Sequence, residues 1–277
     1  MRIDLHTHSS VSDGTRPPAE VMRRAAAAGL DVVALTDHDT TRGWDEARAA
    51  LPDGLTFVPG MELSCALDGR SLHMLAYLFD PDDPELKAEL VRIQEARDTR
   101  GRAMVERLRE LGSSVTMEQV ERIAGGARIG RPHIARAMVE AGTVEAPEDA
   151  FTKDWIGAEG RAHVIRYALD PVRAVRLVRD AGGVSVLAHP RVRRGDEIFD
   201  DAVIRRLAEA GLDGVEIDHP DQEPDDREAL RFLAAELGLV GTGASDDHGE
   251  ASGDRIGCET TDPEAFERLV ARAGGAR

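Results

Sequence analysis

The chain has 277 residues, with 35 Lys plus Arg against 52 Asp plus Glu and a net charge of -17. That balance excludes non-specific binding of duplex nucleic acid, which depends on neutralising many phosphates with basic side chains. Hydrophobic residues reach 42% and aromatics only 4%, so Leu, Val, Ile and Ala must fill the core of one large α/β domain or one domain carrying an insertion.

Met1-Arg2 leads directly into β-prone Ile3-Asp4-Leu5, so no secretory leader is expected. His6-Thr7-His8 follows at once. Residues two apart on an extended segment project to the same side, so the two imidazoles can face one point, with Asp13 reaching it from the next loop. Arg16-Pro17-Pro18 introduces a helix over 19–28, closed by Gly29. Asp31 to Thr36 reads as a buried parallel strand ending in Asp37-His38-Asp39. A helix over 42–51 precedes a strand from Leu55 to Val58 that continues to Glu62. Another strand, Leu72 to Tyr77, has His73 near its start.

The rhythm changes at Pro81. A long helix over 85–111, shorter ones over 117–123 and 132–141, and a loop over 145–161 holding Trp155 predict an all-helical insertion, 81–163. It interrupts a β/α chain comprising 1–80 and 164–277. Alternation resumes with helix 172–181 and strand 184–188, ending at His189. Helix 201–210 and strand 214–218 follow, ending at His219. Helix 225–237 and strand 239–244 end in Ser245-Asp246-Asp247-His248. A strand near 256–260 and helix 263–273 close the pattern. Polar residues at successive strand ends predict a barrel-like parallel sheet with its active site at that face.

Those strand ends supply His6, His8, Asp13, His38, Glu62, His73, His189, Asp246 and His248, which include six of the nine histidines. A lone histidine of this kind is more often a satisfied core residue. Nine His, Asp and Glu side chains in this pattern exceed the needs of one zinc ion and suit two or three cations bridged by a carboxylate. Cys65 and Cys258 lack any CxxC spacing and are expected as small buried hydrophobes in a reducing cytoplasm. No apolar run of about 18 residues predicts a membrane span.

The segments HTHSSVSDG, LTDHD, PGMELS, LAHP and GASDDH together resemble the polymerase-and-histidinol-phosphatase (PHP) family, in order and spacing, across both barrel portions. The resemblance implies a distorted (β/α)7 barrel with a helical insertion, or cap, and a trinuclear metal site at the strand C-termini. On it, His6, His8 and Asp246 hold one cation, Glu62 bridges to a second held by His73 and His189, and Asp13, His38 and His248 hold the third. The family carries His or Asp at the position of Asp13, so the third ion's identity stays open. Mn, Fe and Zn all suit such a ligand set.

A narrower resemblance lies in Arg128-Ile129-Gly130-Arg131-Pro132-His133-Ile134-Ala135-Arg136. It is similar to the branch of small PHP phosphoesterases acting on nucleoside 3′,5′-bisphosphates and on short RNA 5′ ends. The resemblance implies that Arg131 and His133 contact substrate phosphate, and Pro132 near a helix start leaves N–H groups there for an anion. His219 is expected to contact substrate. Lys153 and Arg193 read as surface charges.

The expected protein is thus a cytoplasmic hydrolase of phosphoric esters, using metal-activated hydroxide on a small phosphorylated nucleotide or a short RNA, without duplex or membrane partners. Histidinol-phosphate phosphatase is the enzymatic alternative, sharing the barrel but not the RIGRPH segment. A non-catalytic metal-binding PHP module is the other, though such a module has no need of nine ligand types.

Overall fold

Strands and helices alternate from the first residues of the computed structural model, which describes residues 1–165, 167–192 and 199–274. In chain order they are β1 (Ile3–Asp4), α1 (Pro18–Ala27), β2 (Val32–Leu35), α2 (Trp44–Ala49), β3 (Thr56–Leu67) and β4 (Arg70–Tyr77). Three helices come next, α3 (Pro84–Glu110), α4 (Met117–Ala124) and α5 (Arg131–Glu140). The alternation then resumes with α6 (Pro171–Asp180), β5 (Val184–Leu187), α7 (Asp201–Glu209), β6 (Gly214–Asp218), α8 (Pro224–Leu237), β7 (Val240–Gly243) and α9 (Pro263–Val270).

Local chemistry sets the helix ends. Asp170 accepts the Arg173 N–H (3.0 Å), Asp200 the Val203 N–H (3.1 Å) and Asp262 the Glu264 N–H (2.9 Å). Each capping carboxylate satisfies an N–H that the helix itself cannot. At the other end of α8, Gly238 adopts the left-handed conformation (φ 67°) that lets the chain turn into β7.

The chain divides into two compact units, 1–89 with 169–277, and 90–168. The boundary falls inside α3 rather than at Pro81, because the first turns of that helix belong to the first unit. Leu86 is fully buried there, and Glu89 pairs with Arg173 at 2.8 Å.

In the first unit the strands hydrogen-bond in sequence order from β1 to β7. Beyond the strands, Thr7 bridges to Asp247 in parallel fashion, and the His8 N–H donates to the Asp247 carbonyl (2.8 Å). This contact joins the first strand region to the last, and the unit is a distorted, nearly closed seven-strand (β/α) barrel. Alternating residues fill it. Val32 and Ala34 join Ile3, Leu75, Val186 and Val240 in one cluster, while Val33 and Leu35 pack against Val21 and Met22 of α1. Such division by parity is what a strand buried on both faces requires.

The sheet is not wholly parallel, contrary to the sequence reading. β4 runs antiparallel to both β3 and β5. Asp68 (φ 50°) and Gly69 (φ 80°) turn the chain between Leu67 and Arg70, which pair directly. Asp-Gly with both residues at positive φ is the signature of a two-residue hairpin. The last expected strand, near 256–260, is also absent. There Gly257 turns at φ 73° and gives its N–H to the Asp4 carboxylate (2.8 Å).

The second unit is helical, with a core formed by Met104, Leu108, Val120, Ile134, Met138 and Ile156. Thr116 and Gln119 form a reciprocal capping box at the start of α4. Cys65 is buried as expected, but Cys258 is exposed in the Gly257 turn. Among the described residues, no helix is long and apolar enough to cross a membrane.

Candidate metal centre

The chain following β1 delivers two imidazoles to one side because the residue between them is anchored elsewhere. The Thr7 hydroxyl donates to the Ala34 carbonyl (2.6 Å), and the Thr7 carbonyl accepts the Thr36 N–H (2.8 Å). His6 and His8 therefore share the opposite side, both buried. The loop that follows folds onto the end of β2. Asp37 accepts the Ser9 N–H (2.8 Å) and the hydroxyls of Ser9 and Ser12 (2.7 Å each), which brings Asp13 beside the histidines. Burial raises the Asp37 pKa, while these donors and His8 oppose the rise.

His38 lies just past β2, bridged to Glu62 of β3. His73 is not at a strand end but within β4, opposite Ser64. Because Ser64 is two residues from Glu62, His73 and Glu62 share one face of the hairpin. His189, at φ 28°, follows β5, and Asp246, at φ 49°, follows β7. A histidine at positive φ is strained, and such strain persists only where surrounding contacts over-determine it. Here the His189 N–H is held by a Glu216 oxygen at 2.9 Å.

The nine side chains converge. Glu62 divides its two oxygens between separate sets of imidazoles. Oε2 lies 3.3 Å from His6 Nε2, 3.1 Å from His8 Nε2 and 3.2 Å from His38 Nδ1. Oε1 lies 2.6 Å from His73 Nδ1 and 3.2 Å from His189 Nε2. Asp246 Oδ1 sits 3.3 Å from both His6 Nε2 and His8 Nε2, and 3.5 Å from His248 Nδ1. Asp13 completes the far side, 3.6 Å from His38 and 3.4 Å from His248. Three groups result, each with ligand atoms within 4.8 Å of one another. They are His6, His8, Glu62 and Asp246; His8, Asp13, His38 and His248; and His38, Glu62 and His73.

These residues fit divalent cations on two counts. Asp246 Oδ1 is buried without a hydrogen-bond donor, although three imidazole nitrogens surround it. A lone pair facing lone pairs calls for a cation. His6 also gives its Nδ1 to Glu216 Oε1 (3.1 Å). With a proton on Nδ1, His6 Nε2 is left as a free donor pair aimed at His8 Nε2, 3.1 Å away. The electrostatics agree. Burial alone would lower the imidazole of His6, but Asp246, Glu216 and Glu62 raise it well above its ordinary value. At His8, burial is likewise outweighed by Asp246 and Glu62, and the pKa reaches about 10. Conversely, burial would raise Glu62 and Asp246, yet the imidazoles hold both carboxyls well below the usual range. Opposite shifts on the imidazoles and on the carboxyls mark a buried site that favours added positive charge, as a cation would supply.

Glu216 escaped the sequence reading because it lies within a strand rather than at its end. It is fully buried, and the signal available was a glutamate amid the apolar run Gly214-Val215-Glu216-Ile217. Of the expected substrate contacts, His219 is 1% exposed, with Nδ1 accepting the Asp221 N–H (3.1 Å) and Nε2 3.4 Å from Asp246 Oδ2. In the second unit, Arg131 opens α5 half-buried, its guanidinium carbon 5.7 Å from the centre of the Phe151 ring. His133 is buried, and its Nδ1 accepts the Gly130 N–H (3.0 Å) at the start of the same helix. Lys153 is exposed and pairs with Glu159 at 3.5 Å. Arg193 lies outside the described residues.

The family model for the PHP domain matches residues 4–141. A 5′-3′ exoribonuclease of Haemophilus influenzae is 33% identical over 248 residues, covering 89% of this chain and 90% of that protein. A 3′,5′-nucleoside bisphosphate phosphatase of Chromobacterium violaceum is 33% identical over 285 residues, covering 99% and 97%. Among solved structures, a Bifidobacterium adolescentis protein assigned by inference as a metal-dependent phosphoesterase superposes with a TM-score of 0.92 at 34% identity. That match covers 98% of this chain and 96% of the other.

Proposed function

The chain belongs to the PHP domain family, and from that premise we propose that it hydrolyses phosphate monoesters of nucleoside 3′,5′-bisphosphates, with trimming of short RNA 5′ ends as a related activity. Its general class is that of a metal-dependent phosphoesterase, a hydrolase of phosphoric esters. The observation that carries the reading is the forked placement of Glu62, one oxygen among His6, His8 and His38 and the other between His73 and His189. A carboxylate so placed is suited to bridging cations.

We assign two to three divalent transition metals, from Mn, Fe and Zn, to the nine ligands His6, His8, Asp13, His38, Glu62, His73, His189, Asp246 and His248. When bound, such cations supply Lewis acidity, activating water and offsetting charge on the phosphoryl oxygens. The chain's own residues orient that chemistry. Glu216 fixes the His6 ring through Nδ1 and the His189 backbone through its N–H. Asp37 holds the loop that carries Asp13. His38, His73, Asp246 and His248 stay partly exposed while His6, His8 and Glu62 are closed off, so substrate approaches from the side of the former. Arg131 is offered as the contact to a second phosphate, because the segment bearing it resembles the bisphosphatase branch and Arg suits bidentate recognition of phosphate. The buried His133, whose Nδ1 serves Gly130, supports the start of the helix that carries Arg131.

The test is a panel of substrates offered to Mn-loaded protein, comprising adenosine 3′,5′-bisphosphate, 5′-phosphorylated oligoribonucleotides, histidinol phosphate and p-nitrophenyl phosphate. The bisphosphate should be turned over best. Losing a charged hydrogen bond costs about 1.5–3 kcal/mol, so Arg131→Ala should lower kcat/KM about tenfold to a hundredfold on the bisphosphate and little on p-nitrophenyl phosphate. Preference for histidinol phosphate, or an equal loss on both substrates in Arg131→Ala, would overturn the substrate assignment. No hydrolysis of any member by protein holding its metals would favour the non-catalytic module.

A further inference from the structure

Asp246 is a ligand with two differently treated oxygens. Oδ1 faces the imidazoles of His6, His8 and His248 and has no hydrogen-bond donor. Oδ2 faces the other way, 3.4 Å from His219 Nε2 and 3.5 Å from Arg255 Nη2. The backbone beneath is in the left-handed region, φ 49°. That conformation is sparsely populated outside glycine, so something must hold the carboxylate's direction.

His219 is built for that task. Its Nδ1 accepts the Asp221 N–H at 3.1 Å, so that nitrogen carries a lone pair. In the neutral ring the proton then resides on Nε2, and Nε2–H donates to Asp246 Oδ2. The ring is 1% exposed, and it stands 5.3 Å from the His189 ring. With both nitrogens committed, His219 has no atom left to offer substrate.

Arg255 is fixed just as closely. Asp247, whose chain closes the barrel against Thr7, accepts the Arg255 N–H (2.9 Å), the Ser252 hydroxyl (3.1 Å) and the Gly249 N–H (3.1 Å). The Arg255 guanidinium spans Asp221 Oδ2 (2.9 Å) and the Asp246 carbonyl (3.1 Å) while touching Asp246 Oδ2. Asp221 therefore serves both partners, its N–H setting the His219 tautomer and its carboxylate anchoring Arg255.

The geometry points to Arg255 and His219 as positioning residues that hold Asp246 Oδ2 and so direct Oδ1 at the cation shared with His6 and His8. The inference rests on the metal assignment made above and adds a layer behind it. Groups that orient a metal ligand typically change metal affinity or activity tenfold to a hundredfold when removed. They do so without contacting substrate.

The experiment compares Arg255→Ala, Arg255→Lys, His219→Asn and His219→Gln with the unaltered protein. Asn keeps an acceptor for Asp221 but cannot reach Asp246, whereas Gln extends an amide N–H to where Nε2–H stood. Each protein is loaded with Mn²⁺, metal retention is read by titration with a chelator, and kcat and KM are measured on p-nitrophenyl phosphate. Arg255→Ala and His219→Asn should hold the weakest ion about tenfold to a hundredfold less tightly. At saturating Mn²⁺ they should show a lower kcat at nearly unchanged KM. Arg255→Lys and His219→Gln, which keep a donor for Oδ2, should recover most of both. Unaltered retention in Arg255→Ala and His219→Asn would overturn the inference, as would a raised KM at full kcat, which marks substrate contacts. If the unaltered protein itself retains no metal, the metal assignment fails first and this inference falls with it.

Discussion

Replacing Glu216 by Gln tests whether a buried carboxylate within β6 organises the site. The wild-type side chain accepts twice, from His6 Nδ1–H at Oε1 (3.1 Å) and from the His189 N–H at Oε2 (2.9 Å). Gln has nearly the same volume but only one acceptor arm. If its oxygen faces His6, its NH2 group opposes the His189 N–H. If it faces His189, the NH2 meets His6 Nδ1, and the ring can only accommodate it by moving its proton to Nε2. That tautomer cannot offer Nε2 to a cation. Either arrangement damages the site, and the first leaves a buried donor unsatisfied at a cost of about 1–3 kcal/mol. The expected result is an unfolding free energy, read by urea titration in the presence of chelator, lowered by about 1–3 kcal/mol, with metal affinity reduced about tenfold to a hundredfold. A variant matching wild type in both measurements would refute the orienting role and leave the buried carboxylate without a purpose.

Two further perturbations follow from the same geometry. The metal-free protein should become less stable as pH rises from the ordinary histidine value of 6.5 to about 10, the raised pKa of His8. A raised imidazole gives stability that is whole below the unfolded value and lost through the folded one. The depressed carboxyls of Glu62 and Asp246 act oppositely, losing their contribution as pH falls below the carboxylate range. Divalent cations should therefore displace protons at about pH 8, measurable by calorimetry in buffers of different ionisation enthalpy. Binding without proton release would contradict the raised imidazoles. Gly14→Ala should also weaken metal retention, because a Cβ there would lie 2.8 Å from the His8 carbonyl oxygen. Backbone cannot yield as a flexible side chain can, so retention equal to wild type would show that the loop has more freedom than its contacts imply.

Much of the barrel was legible because its strands are short apolar runs ending in polar residues, and those ends carry His6, His38, His189 and Asp246. Periodicity could not reveal the direction of β4, since antiparallel and parallel strands have the same side-chain period. The Asp68-Gly69 pair did hold that information. His73 was found for the wrong structural reason, as a strand-end residue, whereas hairpin pairing places it beside Glu62. Glu216, Asp37 and Arg255 were not legible because each acts through another residue. Only three-dimensional contact distinguishes such groups from an ordinary buried acid or surface base. For His133, the segment resemblance implied a phosphate contact; the structure adds that its Nδ1 accepts the Gly130 N–H at the start of the helix, a local role the sequence did not reveal.

The closure between Thr7 and Asp247 has a consequence for when this protein can first act. His6 and His8 stand on one lip of that seam, and Asp246 and His248 stand on the other. A ribosome that has passed β6 has already produced seven of the nine proposed ligands, yet the barrel has no second lip to close against. Emergence of β7 supplies the missing pair and the backbone contact in one event. Metal-dependent hydrolysis of phosphoric esters is thereby withheld from an unfinished chain, with folding itself serving as the timer.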